Sequence, residues 1–244
     1  MTAADWRLPE ETFDEGSTRR PTLAQERFAR IYHALLDRIS LLQYPPGTML
    51  SEEEIAQEFD VSRTPVRRVL ARLESEGLVE SRHGVGTIVT DVEIGELEQV
   101  YQLRMELAVL IGRLSPRPRT EADLQRMQGL LDRCDEIAAM RAPEAVAFAR
   151  LNLAFFNELS DMIGNPTLRE ISDRLYFRTV RIWIKSVPRL NMIDEINIFR
   201  REVADILDAM KIGDLEAVGH IRRSHISMSF TRIKRYCGKA PAAP

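Results

Sequence analysis

Cysteine and histidine are scarce in this 244-residue chain, with two of the first and four of the second. Cys134 and Cys237 stand alone, without the paired spacing of a zinc site or a redox dithiol, and both read as reduced structural thiols. No apolar run approaches the roughly 18 residues of a membrane span. The stretch Met1 to Pro21 carries scattered acids and no continuous apolar core, so a secretory signal is excluded and the expected location is the cytoplasm, with no membrane partner. A surplus of positive charge is also missing, since the net charge is −3. Attraction of the whole surface to nucleic acid is thereby excluded. The chain has no Gly-x-Ser-x-Gly elbow, no phosphate loop, no His-Glu-x-x-His and no Cys/His pair in one site, which argues against an enzyme. Gly84-Val85-Gly86 leads from one strand-like stretch into another and opens no helix, so it is no nucleotide loop. There is no internal repeat, and no low-complexity segment beyond the Ala/Pro tail at 240–244.

With 44% apolar and 29% charged residues, the composition is that of a soluble globular protein long enough for two domains. Residues 1–21 read as a flexible tail, 22–91 as one domain, 92–236 as a second and 237–244 as a tail. From Thr22 the apolar spacing Phe28, Ile31, Tyr32, Leu35, Ile39, Leu42 predicts a helix, stopped by Tyr44-Pro45-Pro46-Gly47. Ser51 opens a second helix with a capping box to Glu54, and Ile55, Ala56 and Phe59 form its inner face. Ser62 caps a third, in which Pro65 is tolerated because its missing N–H would have no partner in the first turn. This helix ends near Gly77. Leu78–Ser81 and Thr87–Thr90 are β-prone and flank a glycine-bearing turn, which predicts a hairpin, or wing. Past Asp91 the pattern is helical, with six intervals at 93–114, 120–141, 143–163, 167–187, 191–212 and 214–236. The fold class is mainly α: a winged helix-turn-helix followed by a six-helix bundle.

Charge is concentrated rather than abundant. Val61 to Arg72 holds four arginines and no acid, whereas Ser51 to Asp60 holds five acids and no base. At about 100° per residue, Val66, Val69, Leu70 and Leu73 of the third helix share one arc, and Arg63, Thr64, Arg67 and Arg68 lie opposite. Such a helix end in a major groove offers arginine for guanine, with hydroxyls and backbone N–H groups for phosphate. A solvated helix face would carry the same residues, but the adjoining wing makes the pair of features specific for double-stranded DNA.

Pro46-Gly47-Thr48-Met49-Leu50-Ser51-Glu52, then Val61-Ser62-Arg63-Thr64-Pro65-Val66-Arg67, then Leu73-Glu74-Ser75-Glu76-Gly77-Leu78-Val79 resembles the GntR family of bacterial regulators. The resemblance implies that Arg63 and Arg67 contact bases or phosphates, that Thr64 contacts the backbone, and that His83-Gly84 at the wing tip enters the minor groove, with Ser62 and Arg68 completing the expected DNA-binding set. A turn role alone for His83 stays open. Arg68 stands where the family usually has glutamate and adds a cation; Glu53 stands where some members carry a DNA-contacting arginine. The helical remainder resembles the FadR-like subgroup, whose C-terminal FCD domain binds a small effector and dimerises. A homodimer on an inverted-repeat operator, acting as a repressor, is the implied partner scheme.

That subgroup usually holds a divalent metal on one aspartate and three histidines. With Asn165-Pro166 and Gly213-Asp214 as anchors, the corresponding residues are Asn152, Phe156, Val203 and His225, which supply too few ligands, so no metal or other cofactor is expected. His220 and His225, five apart, diverge by about 140° and do not chelate one ion together. Phe156 and Val203 predict a drier cavity, while Arg104, Arg174, Arg178 and Arg181 offer cations for an acidic metabolite, a carboxylate or a phosphate, both of which guanidinium grips in bidentate fashion. The ordinary role of each such arginine, a solvated or ion-paired helix residue, stands beside this reading. The candidate effector set is Arg104, Asn152, Phe156, Arg178, Val203 and His225.

Overall fold

The structure, a computed structural model, describes residues 22–91, 94–141, 143–186 and 191–237. The tail expected at 1–21 and residues 238–244 of the tail expected at 237–244 lie outside the described residues, as does the side chain of Cys237. The chain divides into two compact units, Met1–Val92 and Glu93–Pro244.

The first unit contains α1 (Leu23–Ser40), β1 (Met49–Leu50), α2 (Glu52–Glu58), α3 (Arg63–Ser75), β2 (Val79–Arg82) and β3 (Gly86–Val89). Thr22 caps α1 with a full capping box to Gln25, and Ile31, Leu35 and Ile39 make its buried stripe. On α2 the Ser51 hydroxyl accepts the Glu54 N–H at 3.2 Å, one half of the expected box. The predicted arc of α3 is its buried face: Val66, Val69 and Leu73 are fully enclosed, and Leu70 nearly so. Past the end of α3, Gly77 adopts φ +77°, a left-handed conformation that costs glycine little. The Leu78 N–H there bonds Leu73 O and the Gly77 N–H bonds Glu74 O, which turns the chain straight into β2. The sheet runs β1-β3-β2, all antiparallel. β1 went unread in the sequence because two residues carry no periodicity.

The second unit holds α4 (Ile94–Leu110), α5 (Glu121–Ala138), α6 (Ala145–Asp161), α7 (Pro166–Ser186), α8 (Met192–Ile212) and α9 (Leu215–Cys237). These are the six predicted helices. α4 stops at Leu110 rather than Leu114, because the chain tightens into turns in which Ile111 N–H bonds Ala108 O and Arg113 N–H bonds Leu110 O. α4 packs along α9, and α5 along both α6 and α8. The α4/α9 pair touches backbone to backbone at one end. A Cβ on Gly112 would sit 1.9 Å from Leu215 O, and one on Gly219 would sit 2.7 Å from Ala108 O, so neither position admits a side chain. Cys134 is buried and free, and burial pushes its thiol up to about 12. No helix among the described residues is long and apolar enough to cross a membrane.

Candidate nucleic-acid interface and ligand cavity

Packing of the apolar arc of α3 against α1 leaves the other face of α3 in solvent, and that face carries the predicted contacts. Ser62 and Thr64 are exposed at the N-terminal end, and the Ser62 hydroxyl makes no capping bond, so both hydroxyls remain available to a phosphate. The side chains of Arg63 and Arg67 are 56% and 64% exposed, and both close on one acid of α2. Glu52 Oε2 accepts from Arg63 Nη2 at 3.1 Å and from Arg67 Nε at 2.8 Å. These bonds, Arg67's first, hold the Glu52 carboxyl below the usual carboxylate range. The sequence showed an acidic helix beside a basic one; it did not show that a single carboxylate fastens both reader arginines. Arg68 is exposed, but its guanidinium lies 5.9 Å from the Phe28 ring of α1. On the helical wheel it stands about 140° from Arg63, at the edge of the reading face rather than along it. His83 and Gly84 sit exposed in the three-residue turn of the β2/β3 hairpin, where Gly84 has φ +76°. Beneath this face Tyr32 Oη donates to Glu76 Oε2 at 2.8 Å and Arg72 Nε to Glu76 Oε1 at 2.6 Å, tying α1 to α3 through a buried carboxylate.

The second unit encloses a cavity of about 60 Å³, walled by side chains of α4, α6, α7, α8 and α9. Arg104, Asn152 and His225 of the predicted set line it. So do Tyr101, Tyr176, Glu195, Glu202, Arg222 and Arg232, which the sequence reading missed. The signal was there in α9, where Arg222, His225, Ser229 and Arg232 fall on one helical face that also carries apolar Ile226. A second cavity of about 30 Å³ is aliphatic in lining, with Leu107, Ile111, Leu159 and Ile163, and shares Arg104, Arg222 and Ile226 with the first.

Two predicted members of the set line neither cavity. Val203 is fully buried in the core, one position past Glu202 on α8, and turns away from the cavity. Arg178 is half-buried and stands about 200° around α7 from Tyr176, whereas Tyr176, Val180 and Trp183 share the cavity face. Arg174, exposed, and Arg181, buried, line neither cavity as well. Phe156 reaches the second cavity only, stacked on Tyr176 with centroids 3.6 Å apart and planes 2° from parallel.

The divalent metal implied by the resemblance does not fit these residues. A ring stack occupies one of its four positions and a core valine another, and among the described residues no three His, Cys, Asp or Glu side chains converge on one point. His225 lies 3.7 Å from Glu202, yet burial lowers its pKa below the ordinary histidine value, so it is neutral near pH 7.

The cavity's charges are otherwise sorted into pairs. Arg222 Nη1 meets Glu202 Oε1 at 2.6 Å, and Arg232 grips Glu195 with two bonds at 2.7 and 3.0 Å. Arg104 is different. Its Nη1 donates to the Thr179 hydroxyl at 2.6 Å, and its guanidinium lies between the Tyr101 and Tyr176 rings at 5.2 and 5.4 Å, with no carboxylate in ion-pair range among the described residues. Burial lowers the pKa of this guanidinium, and the Arg222 charge lowers it further.

Comparison with known proteins agrees with both halves. Residues 28–89 match the family described as bacterial regulatory proteins, gntR family, and residues 99–228 match the FCD domain. Among curated relatives, an HTH-type transcriptional regulator of Mycobacterium tuberculosis is 30% identical over 175 residues, 65% of this chain and 70% of the relative. The HTH-type transcriptional repressor RspR of Escherichia coli is 26% identical over 215 residues, covering 84% and 90% of the two chains. Among solved structures, E. coli McbR/YncC superposes with a TM-score of 0.72 at 20% identity, covering 86% of this chain and 97% of the other, which is a likeness of fold.

Proposed function

Because the chain belongs to the GntR family of bacterial regulatory proteins, with an FCD domain after its reader, we propose that it is a cytoplasmic repressor whose homodimer grips an inverted-repeat operator and responds to a small acidic metabolite. Regulation of transcription through DNA is the family's activity, and the relatives are regulators rather than enzymes. The observation that carries the operator reading is the exposed end of α3, where Ser62, Arg63, Thr64 and Arg67 stand free of the core beside a wing tipped by His83 and Gly84. Two such helices, related by a twofold axis and one turn of duplex apart, read two half-sites. The description of RspR as a repressor supports the sign of regulation. The surplus of arginine over glutamate in the bundle cavity supports an acidic effector.

A gel shift of the full chain against the DNA upstream of its own coding region, at moderate salt and with excess random duplex, tests this reading. A sequence-selective complex of dimer stoichiometry is expected. Equal affinity for operator and random DNA would overturn it.

A further inference from the structure

Three arginines and two glutamates face the larger cavity, and each glutamate is already held by one arginine. With His225 neutral, the wall carries one net positive charge, and it resides on Arg104. A second observation points to the same spot. Tyr176 is 2% exposed and lines the cavity, and its hydroxyl has no hydrogen-bond partner. A buried phenol without a partner has lost the hydrogen bonds it made in water and gained none in exchange. It is a donor that the protein itself leaves unused.

We propose that this cavity binds one small monocarboxylate without a metal ion: Arg104 and the Tyr176 hydroxyl receive the carboxylate, and Arg222, already paired with Glu202, supplies the second cation. The proposal rests on the reading above that the bundle senses an acidic metabolite, and names its charge, its size and its anchors. A carboxylate here relieves two defects at once, since it neutralises the unpaired guanidinium and accepts from the orphan hydroxyl. One charge is the right number. A dianion would leave a net negative charge in a site walled by Phe148, Trp183 and Phe199, where uncompensated charge is costly. The size follows from the volume, because about 60 Å³ admits roughly four to six water-sized groups. The apolar part of the acid has a place to go, since the aliphatic second cavity begins at the same two arginines. Arg222 adds hydrogen-bond donors from α9, where Glu202 holds its guanidinium.

The test uses the full chain, dialysed against chelator, with acetate, butyrate and benzoate as probes and their amides and inorganic phosphate as comparators. Thermal shift and calorimetry read binding, and a gel shift on the same samples reads DNA binding separately. At millimolar concentration at least one of the three acids is expected to raise Tm, with its amide inert and phosphate weaker. Arg104→Gln should weaken that acid by about tenfold or more, the scale of a charge-assisted hydrogen bond, and Arg104→Lys should recover part of the loss. Tyr176→Phe should weaken it several-fold while the ligand-free Tm stays level or rises, because the hydroxyl it removes is unsatisfied. A merely structural tyrosine would lower the ligand-free Tm instead. Stabilisation by amide equal to that by acid, stabilisation by none of the acids, binding that requires added nickel or zinc, or unchanged affinity in both Arg104→Gln and Tyr176→Phe would each overturn the proposal. Any of these with a normal gel shift leaves the operator reading intact.

Discussion

Replacing Glu52 with glutamine should make this protein a tighter but less discriminating DNA binder. The carboxylate holds Arg63 and Arg67 through bonds of 2.8 to 3.3 Å on the face proposed to meet the duplex. Both arginine side chains are more than half exposed, so the two ion pairs add at most about 1 kcal/mol to folding, and the variant stays folded. The effect on DNA is larger. In the native chain each guanidinium must give up part of its hold on Glu52 to reach DNA, and only a well-placed base edge compensates for that. Freed, each arginine that finds a phosphate releases one counterion, worth about 1 kcal/mol at physiological salt. Nonspecific binding should therefore tighten by about fivefold for one arginine and up to about thirtyfold for both, and the log–log salt slope should steepen by up to about 1.8. Operator affinity should change less, so the ratio of specific to nonspecific affinity falls. Fluorescence anisotropy with labelled random duplex across a potassium chloride series measures both quantities. An unchanged slope with unchanged nonspecific affinity would show that Glu52 does not restrain the reader arginines, and the argument would fail.

Arg67→Ala should weaken operator binding by about 1–3 kcal/mol, the scale of a bidentate arginine contact, in a competition gel shift. Tyr32→Phe strips one bond from the buried Glu76 carboxylate and should lower stability in urea melts by about 1–3 kcal/mol. His225, facing Glu202, Arg222, Asp205 and Arg232, has a folded pKa lowered by burial. Its contribution is fully present above the ordinary histidine pKa of about 6.5 and is lost as pH falls from there through the folded value, because the unfolded chain then binds the extra proton. His225→Gln should flatten that part of the Tm profile; an unchanged slope between neutral and mildly acidic pH would contradict it.

Sequence periodicity was enough for the nine helices described and the wing, because amphipathic helices and a glycine-punctuated hairpin print their spacing directly. The exposed face of α3 was legible for the same reason: Arg63 and Arg67 lie one helical turn apart, outside a clean apolar arc. Tertiary pairing was not. Nothing local says that Glu52, fifteen residues before Arg67, folds back onto it. The cavity was half legible. Arg104, Asn152 and His225 arrive where expected, but alignment by anchor residues carried Val203 to a core position, and charge alone put Arg178 on the wrong side of α7. Arg222 and Arg232 were overlooked because a charged residue on a helix reads by default as a solvated one, and only packing against Glu202 and Glu195 shows them to be interior.

The glycine contacts between α4 and α9 fix where the first bundle helix ends. Gly112, just past α4, and Gly219 bring the C-terminal end of α4 and the start of α9 together without a side chain to act as cushion. The other end of α4 is tied to α9 as well, by the Tyr101 ring stacked on Phe230 at 4.3 Å and by Glu98 paired with Lys234 at 3.1 Å. Held at both ends, α4 presents Arg104 to the cavity from a fixed rail.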